Sequence, residues 1–345
     1  MKPIRVLIVD DSPTVQAVLK NVLAEESDIH IVGTASDPYE AKDLIVQKKP
    51  DVVTLDIEMP RMDGITFLKR LMSFRPLPVI MISSYTRENS VRTLEALDAG
   101  AIDFVAKPTG DVKTGLEGLK QEIVTKIRAA AQVKIKTSAL FAQPGKPSVH
   151  EAHIGPSDKV IAIGASTGGT RAIPRLLAAM PSNVNGILIV QHMPPRFTKT
   201  FAQNLDAACP LKVNEARDGN RIKRGTVLLA PGGLHLELVS DHEGYFVRLR
   251  EGKPVNYQRP SVDVLFYSVA EVAVDNAVGV LLTGMGNDGS DGLLAMKQAG
   301  AFTIAQDEAT SVVFGMPGAA IDIGAADVVA PLGDISGIVL SKLAE

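Results

Sequence analysis

Tryptophan is absent from the 345 residues, and cysteine occurs once, as Cys209. One thiol cannot close an internal disulfide or build a cysteine-based zinc cluster. Its scarcity suits a reducing compartment. Aromatic residues make up 4%, too few for the stacking platforms of single-strand nucleic-acid binders. Neither sign of charge dominates: 36 Lys and Arg face 39 Asp and Glu, for a net charge of −3. That balance gives no reason to expect nonspecific attraction to DNA, RNA or acidic lipid. No helix-turn-helix pattern or basic recognition helix is visible, which argues against a transcription factor. Long apolar runs are missing as well. None approaches the roughly 20 residues that a membrane-spanning helix needs. The N-terminal run Ile4–Val9 is too short for a signal peptide and ends on Asp10 and Asp11. The expectation is a cytoplasmic protein that is not inserted in a membrane and binds no nucleic acid.

What is present is ordinary for a folded chain: 46% hydrophobic and 22% charged residues. At roughly 150 residues per domain the length predicts about two domains. The first 108 residues alternate short apolar runs with amphipathic stretches. Ile4–Val9, Ile29–Val32, Val52–Leu55, Val79–Ile82 and Phe104–Val105 read as strands. Pro13–Ala24 reads as a helix with Val15, Val18, Leu19 and Val22 on one face. This alternation predicts a doubly wound parallel sheet. From Asp111 to about Lys136, Leu116, Leu119, Ile123 and Ile127 recur at helical spacing. Thr137–Asp158 then carries Pro144, Gly145, Pro147, Gly155 and Pro156 without periodicity and reads as a linker. A second α/β region follows, with buried strands at Val160–Ile163, Ile187–Val190, Thr226–Ala230, Val278–Leu282 and Phe302–Ala305. Ile173–Met180 and Leu293–Ala299 read as helices, and Leu234–Val239 with Tyr245–Arg250 as an antiparallel hairpin. The expected domains are 1–122, a helical extension and linker over 123–157, and 158–345.

Chemistry gathers at strand ends in both regions. In the first, Asp10 and Asp11 end the first strand and Asp56 ends the third. With strand order 2-1-3-4-5, those ends are neighbours at the binding crevice. Three converging carboxylates call for a cation, and Mg²⁺ suits hard oxygen ligands while keeping water in its shell. Ser83 and Lys107 follow the fourth and fifth strands, so a hydroxyl and an ammonium reach the same edge and could bind the oxygens of a phosphorylated Asp56. Lys107 precedes Pro108, which holds it extended, and Gly64 supplies a turn nearby.

In the second region, Gly164-Ala165-Ser166-Thr167-Gly168 matches G-x-S-x-G, a pattern that exposes a serine on a sharp turn after a strand. Gln191-His192 follows the next buried strand, and Asp288 sits in the glycine-dense run Thr283-Gly284-Met285-Gly286-Asn287-Asp288-Gly289 after a third. On one sheet edge these supply a nucleophile, a base and an orienting carboxylate. Backbone N–H groups of Thr167 and Met285 are the candidate oxyanion donors. His235, after Pro231-Gly232-Gly233-Leu234, is the competing histidine. The chain order Ser…His…Asp differs from the Ser…Asp…His of α/β-hydrolases, which disfavours a lipase-type fold.

The strand-end set of the first region resembles a response-regulator receiver domain. That resemblance implies transfer of a phosphoryl group from a chemotaxis histidine kinase to Asp56, with Mg²⁺ near Asp10 and Asp11, and puts Phe104 at the switch-aromatic position. The second region is similar to the catalytic domain of chemotaxis protein-glutamate methylesterases, the CheB family. The matching stretches are Gly164–Thr170, Gln191–Pro195, Pro260-Ser261-Val262-Asp263 and Thr283–Gly289. Arg171 and Arg196 depart from the family pattern, where an acidic residue and a glycine are expected. The resemblance implies a flavodoxin-like receiver joined to a larger, Rossmann-like, mostly parallel esterase domain. It implies hydrolysis of glutamyl methyl esters on chemoreceptor cytoplasmic helices, with deamidation of receptor glutamines and no cofactor for the ester chemistry. Recruitment to membrane-bound receptor arrays, a monomeric chain, and relief of receiver-imposed inhibition on phosphorylation complete the expectation. A phosphorylation-controlled binding module without catalysis, and a receiver-linked hydrolase of small esters, are the competing readings.

Overall fold

In the computed structural model the described residues are 2–84, 86–107, 112–133 and 159–345, with backbone only for 87 and 112–118. Pro108, the Leu116 side chain and the linker prolines, glycines and histidines at 144–156 lie outside them. The chain divides into two compact units, Met1–Gln143 and Pro144–Glu345.

The first unit has strands β1 (Ile4–Val9), β2 (Ile29–Ala35), β3 (Val52–Asp56), β4 (Val79–Ser83) and β5 (Asp103–Ala106). They pair in parallel in the order β2-β1-β3-β4-β5. Helices α1 (Pro13–Ala24), α2 (Pro38–Lys48), α3 (Gly64–Phe74), α4 (Arg87–Asp98) and α5 (Val112–Gln132) connect and flank them. β3 and β4 are buried along their whole length, as expected where helices cover both faces of a sheet. Ser12, Asp37 and Asp63 cap α1, α2 and α3 with side-chain oxygens, which fixes where each helix leaves the strand ends.

The helix continues past the boundary expected at 122, as the helical extension expected there. Helix α5 runs on to Gln132, burying Ile123, Val124, Ile127, Ala129 and Ala130. Arg128 pairs with Glu26 and Asp28 at 2.7 Å each. Residues 123–132 therefore complete the first core, and the helical spacing of Leu119, Ile123 and Ile127 is the buried face of its last helix.

The second unit carries seven parallel strands in the order β14-β13-β12-β6-β7-β9-β8. They are β6 (Val160–Ala165), β7 (Ile187–Gln191), β8 (Lys212–Glu215), β9 (Thr226–Leu229), β12 (Ala277–Leu281), β13 (Phe302–Gln306) and β14 (Val328–Ala330). The hairpin β10 (His235–Asp241) and β11 (Gly244–Arg250) stands apart as a two-stranded sheet. Helices α6 (Gly169–Ala178), α7 (Phe197–Ala208), α8 (Val262–Val272), α9 (Ser290–Gln298), α10 (Met316–Asp322) and α11 (Leu332–Leu343) complete it. The core joins the central strands to α8 through Leu265, Phe266 and Val269. β6 lies between β12 and β7, so the chain leaves the sheet centre at Ser166 with a neighbour on each side. No described helix is long and apolar enough to cross a membrane.

Candidate active site

The carboxyl edge of the first sheet holds the expected acidic set. Asp10 follows β1, Asp56 is the last residue of β3, and carboxylate oxygens of Asp10, Asp11 and Asp56 lie within 4.8 Å of one another. Lys107, just past β5, reaches across with its Nζ 2.7 Å from Asp56 Oδ2 and 3.1 Å from Asp10 Oδ2. Burial pushes the Asp56 carboxyl up to about 6; Lys107 opposes that shift, and Asp10 adds to it. Burial likewise raises Asp10. Oxygen-only donors, two of them buried at fixed strand ends, fit the hard Mg²⁺ ion. Ser83, the last residue of β4, is fully buried and accepts from the Thr93 hydroxyl at 2.8 Å. Phe104 is 3% exposed, with the Lys126 ammonium 5.1 Å from its ring centre. Gly64 serves the site by its size rather than by a turn conformation. A Cβ built there would stand 1.9 Å from the Asp56 carbonyl oxygen.

The second site forms where β12, β6 and β7 end together. Ala165 pairs with Gln191 across β6 and β7, and the His192 N–H donates to the Ala165 carbonyl at 3.1 Å. Parallel register thus makes Ser166 and His192 neighbours. The Ser166 backbone is pinned from both sides. Its N–H donates to the Thr283 carbonyl at 3.0 Å, and its carbonyl accepts from the Gln191 amide at 2.9 Å. Gly284 passes so near that a Cβ there would lie 2.8 Å from Ser166 Cβ and 2.2 Å from the Met316 sulfur.

Asp288 meets His192 from the β12 side. Its Oδ2 is 2.7 Å from His192 Nε2, and both side chains are at most 5% exposed. The other imidazole nitrogen, Nδ1, is buried and has no hydrogen-bond partner among the described residues. The familiar serine-protease arrangement is the reverse, with the carboxylate on Nδ1. Further donors converge on Asp288: the Val262 N–H on Oδ2 at 2.7 Å, and the Ser261 hydroxyl and Asn256 amide on Oδ1 at 2.6 and 3.1 Å. Burial pushes this carboxyl up, but the His192 bond and charge, Ser261 and Val262 outweigh it and hold Asp288 below its ordinary value.

The remaining residues fall as follows. Met285, directly after Gly284, is half-buried, and its N–H makes no hydrogen bond among the described residues. Thr167 is buried, and its carbonyl accepts the Thr283 hydroxyl at 2.9 Å. His235 does not join the site as a base. It is 1% exposed, its Nδ1 accepts the Ser261 N–H at 3.3 Å, and its Nε2 lies 3.0 Å from the Lys253 carbonyl. Arg171 sits in the first turn of α6, and Arg196 caps α7 at a φ of 75°.

Residues 161–339 match the CheB methylesterase model, and residues 6–115 match the response regulator receiver domain model. The chain belongs to the CheB methylesterase family. Relatives span its full length. A protein-glutamate methylesterase/protein-glutamine glutaminase of Sulfurimonas denitrificans is 49% identical over 351 aligned residues, covering 99% of each chain. One of the same name from Bordetella bronchiseptica is 50% identical, covering 100% of this chain and 99% of its own. The crystal structure of the Thermotoga maritima CheB methylesterase catalytic domain is 41% identical, with a TM-score of 0.53. It matches 54% of this chain and 98% of its own.

Sequence reasoning gave no role to three residues that surround Asp288: Asn256, which it did not name, and Ser261 and Asp263, which it named only within the stretch Pro260-Ser261-Val262-Asp263. Ser261 had a readable signal, a serine just before an apolar-periodic stretch, and it does cap α8. Asn256 lies in a polar loop and had none.

Proposed function

We propose that this chain is a phosphorylation-activated serine esterase that hydrolyses glutamyl methyl esters on the cytoplasmic helices of chemoreceptors and deamidates receptor glutamines by the same chemistry. The observation that carries the reading is the buried 2.7 Å contact of Asp288 with His192 Nε2, which leaves Nδ1 unbonded among the described residues, on a residue that stands one past β7 as Ser166 stands one past the paired β6. Ser166 Oγ attacks the ester carbonyl carbon while its proton passes to His192 Nδ1. Asp288 holds the Nε2–H and offsets the imidazolium charge. The N–H groups of Met285 and Thr167 receive the oxyanion; one such donor is worth roughly 10²–10³ in rate. Collapse breaks the C–OCH₃ bond, and methoxide takes the proton from His192 to leave as methanol. Water then attacks the acyl-enzyme with His192 as base, releasing the glutamate carboxylate and restoring Ser166. Arg171 and Arg196 offer positive charge to an acidic receptor surface.

Control comes from the first unit. A chemotaxis histidine kinase donates the phosphoryl group to Asp56, and Lys107 and Ser83 hold its oxygens. Asp10, Asp11 and Asp56 would hold Mg²⁺, which when bound neutralises charge around the phosphoryl group. Phe104 reports the state of the site. The proposed domains are the receiver through the end of α5, a linker, and the esterase from β6 onward. The unmodified receiver represses the esterase, and the phosphoryl group must favour the active arrangement energetically for any shift to occur. The protein works as a monomer in the cytoplasm, drawn to receptor arrays. Methanol release from methylated receptor membranes tests this directly. A phosphodonor should raise the rate of the wild type and leave Asp56→Asn unmoved; equal stimulation of both would refute the phosphoacceptor role.

A further inference from the structure

Behind His192 lie two buried carboxyls rather than one. Asp263, the second residue of α8, is 3% exposed. It and Asp288 are arranged reciprocally. Asp288, from the loop that opens α9, accepts the Val262 and Asp263 N–H groups of the first turn of α8, at 2.7 and 3.4 Å. Asp263, on α8, accepts the Gly292 N–H in the first turn of α9 at 2.7 Å. Each helix thus turns its positive end toward the carboxyl carried by the other. Asn256 joins the two. Its Nδ2 donates to Asp263 Oδ2 at 2.7 Å and to Asp288 Oδ1 at 3.1 Å. Among the described residues its side chain bonds to nothing else. The backbone is shaped for this reach. Asn256 and Tyr257 have φ values of 50° and 62°, in a turn closed by reciprocal Val255 and Gln258 hydrogen bonds of 3.0 and 2.8 Å. Asparagine is one of the few residues other than glycine that adopt this region readily.

We propose that Asn256 is a positioning residue for the hydrolytic triad: its amide keeps Asp288 and Asp263 apart as separate acceptors, so that Asp288 retains its charge for His192. This rests on the reading of Ser166, His192 and Asp288 given above. Two buried carboxyls in contact tend to share one proton. Here burial, and secondarily the charges of Asp288 and Asp291, push Asp263 up to about 6 against the pull of the Gly292 N–H. A donor between the pair lets Asp263 absorb that tendency while Asp288 stays ionised. The titratable groups facing the cluster are His192 past β7, Tyr267 on α8 and Asp291 on α9. Since among the described residues the Asn256 side chain bonds only to the two carboxyls, its loss should act on the step that charges His192 and not on substrate affinity.

The test measures methanol release from methylated receptor membranes by the full chain, for Asn256→Gly, Asn256→Asp and Asp288→Asn, with a thermal melt of each. Glycine keeps the left-handed turn and removes the amide. Aspartate keeps the shape and puts a third carboxyl against two others. We expect Asn256→Gly to lower kcat about tenfold with KM within about twofold of wild type, the loss of one hydrogen bond to a charged group. Asn256→Asp should lower kcat about a hundredfold and move the acid limb of the kcat/KM profile upward. A merely structural loop predicts the opposite order, because aspartate is the closer mimic. A Gly variant within about twofold of wild-type kcat, or an Asp variant more active than the Gly variant, overturns the proposal. Should the Asp variant fail to fold, the Gly variant decides alone. If Asp288→Asn keeps wild-type activity, the triad reading itself falls; if it collapses while both Asn256 variants match wild type, only this inference does.

Discussion

Replacing Asp288 by asparagine probes the charge behind His192 with almost no change of shape. An amide keeps one acceptor oxygen where the carboxylate had two. The Val262 N–H, 2.7 Å from Oδ2, is backbone and cannot turn away, so the new oxygen should stay on that side. His192 Nε2 lies on the same oxygen at 2.7 Å and keeps its partner. The new NH₂ then faces the Ser261 hydroxyl and the Asn256 amide, which must both reorient. An imperfect rearrangement around the buried Ser261 hydroxyl costs about 1–3 kcal/mol of stability. The larger loss is electrostatic. Unit charges about 4 Å apart at an effective dielectric near 20 attract by about 4 kcal/mol, which as lost stabilisation of the imidazolium is about a thousandfold in kcat. Stability should also change its pH profile. Asp288 is held below its ordinary value, so its contribution is present above the unfolded carboxyl range and is lost as pH falls through the folded value. The variant lacks that term, and the two proteins should converge in stability toward acid pH. Methanol release at neutral pH and urea melts across the acid range measure both effects. A folded Asp288→Asn protein within about tenfold of wild-type kcat would refute the reasoning.

Two further substitutions test the geometry of each site. Gly284→Ala forces a methyl to 2.8 Å from Ser166 Cβ and 2.2 Å from the Met316 sulfur. It should cost about 1–3 kcal/mol in a chemical melt and depress kcat; an unchanged melt and rate would count against the close approach. Asp56→Asn should stabilise the first unit in chelator above pH 6. The folded carboxyl sits near 6 against an ordinary 3.8, so ionising it costs the native state about 3 kcal/mol, absent below pH 4 and full above 6. Urea midpoints of wild type and Asp56→Asn at pH 3.5 and 7.5 give the comparison: equal gaps at both would contradict the burial of Asp56.

Legibility in the sequence followed the physics of each signal. The inner receiver strands were readable because helices cover both faces of the sheet, leaving short uninterrupted apolar runs such as Val79–Ile82; β2, with exposed His30 and with Gly33 and Thr34, was legible only over Ile29–Val32 of its Ile29–Ala35 span. The central strands β6, β7 and β12 were readable for the same reason. Edge strands β8 and β14 were not. Lys212–Glu215 alternates one buried residue with exposed ones, and Val328–Ala330 spans three residues. The full length of α5 as part of the first core was not legible, because its last turns carry charged Lys126 and Arg128, whose partners Glu122, Asp103, Glu26 and Asp28 are mostly distant in sequence. Ser166 and His192 could be found because each stands one residue past a strand. Asp288 lies seven residues beyond β12 and needed its glycine-rich context. The tautomer-setting choice of Nε2, and the carboxyl pair bridged by Asn256, depend on how α8 meets α9, which no local pattern encodes.

The hydroxyl of Ser166 is where the account is most exposed. Methanol release from methylated receptor membranes by wild type and Ser166→Ala, with both proteins shown to be folded, measures its role directly. The account predicts loss of turnover to near background in the variant, by about 10⁴-fold or more. Release at the wild-type rate from the Ser166→Ala protein would contradict it.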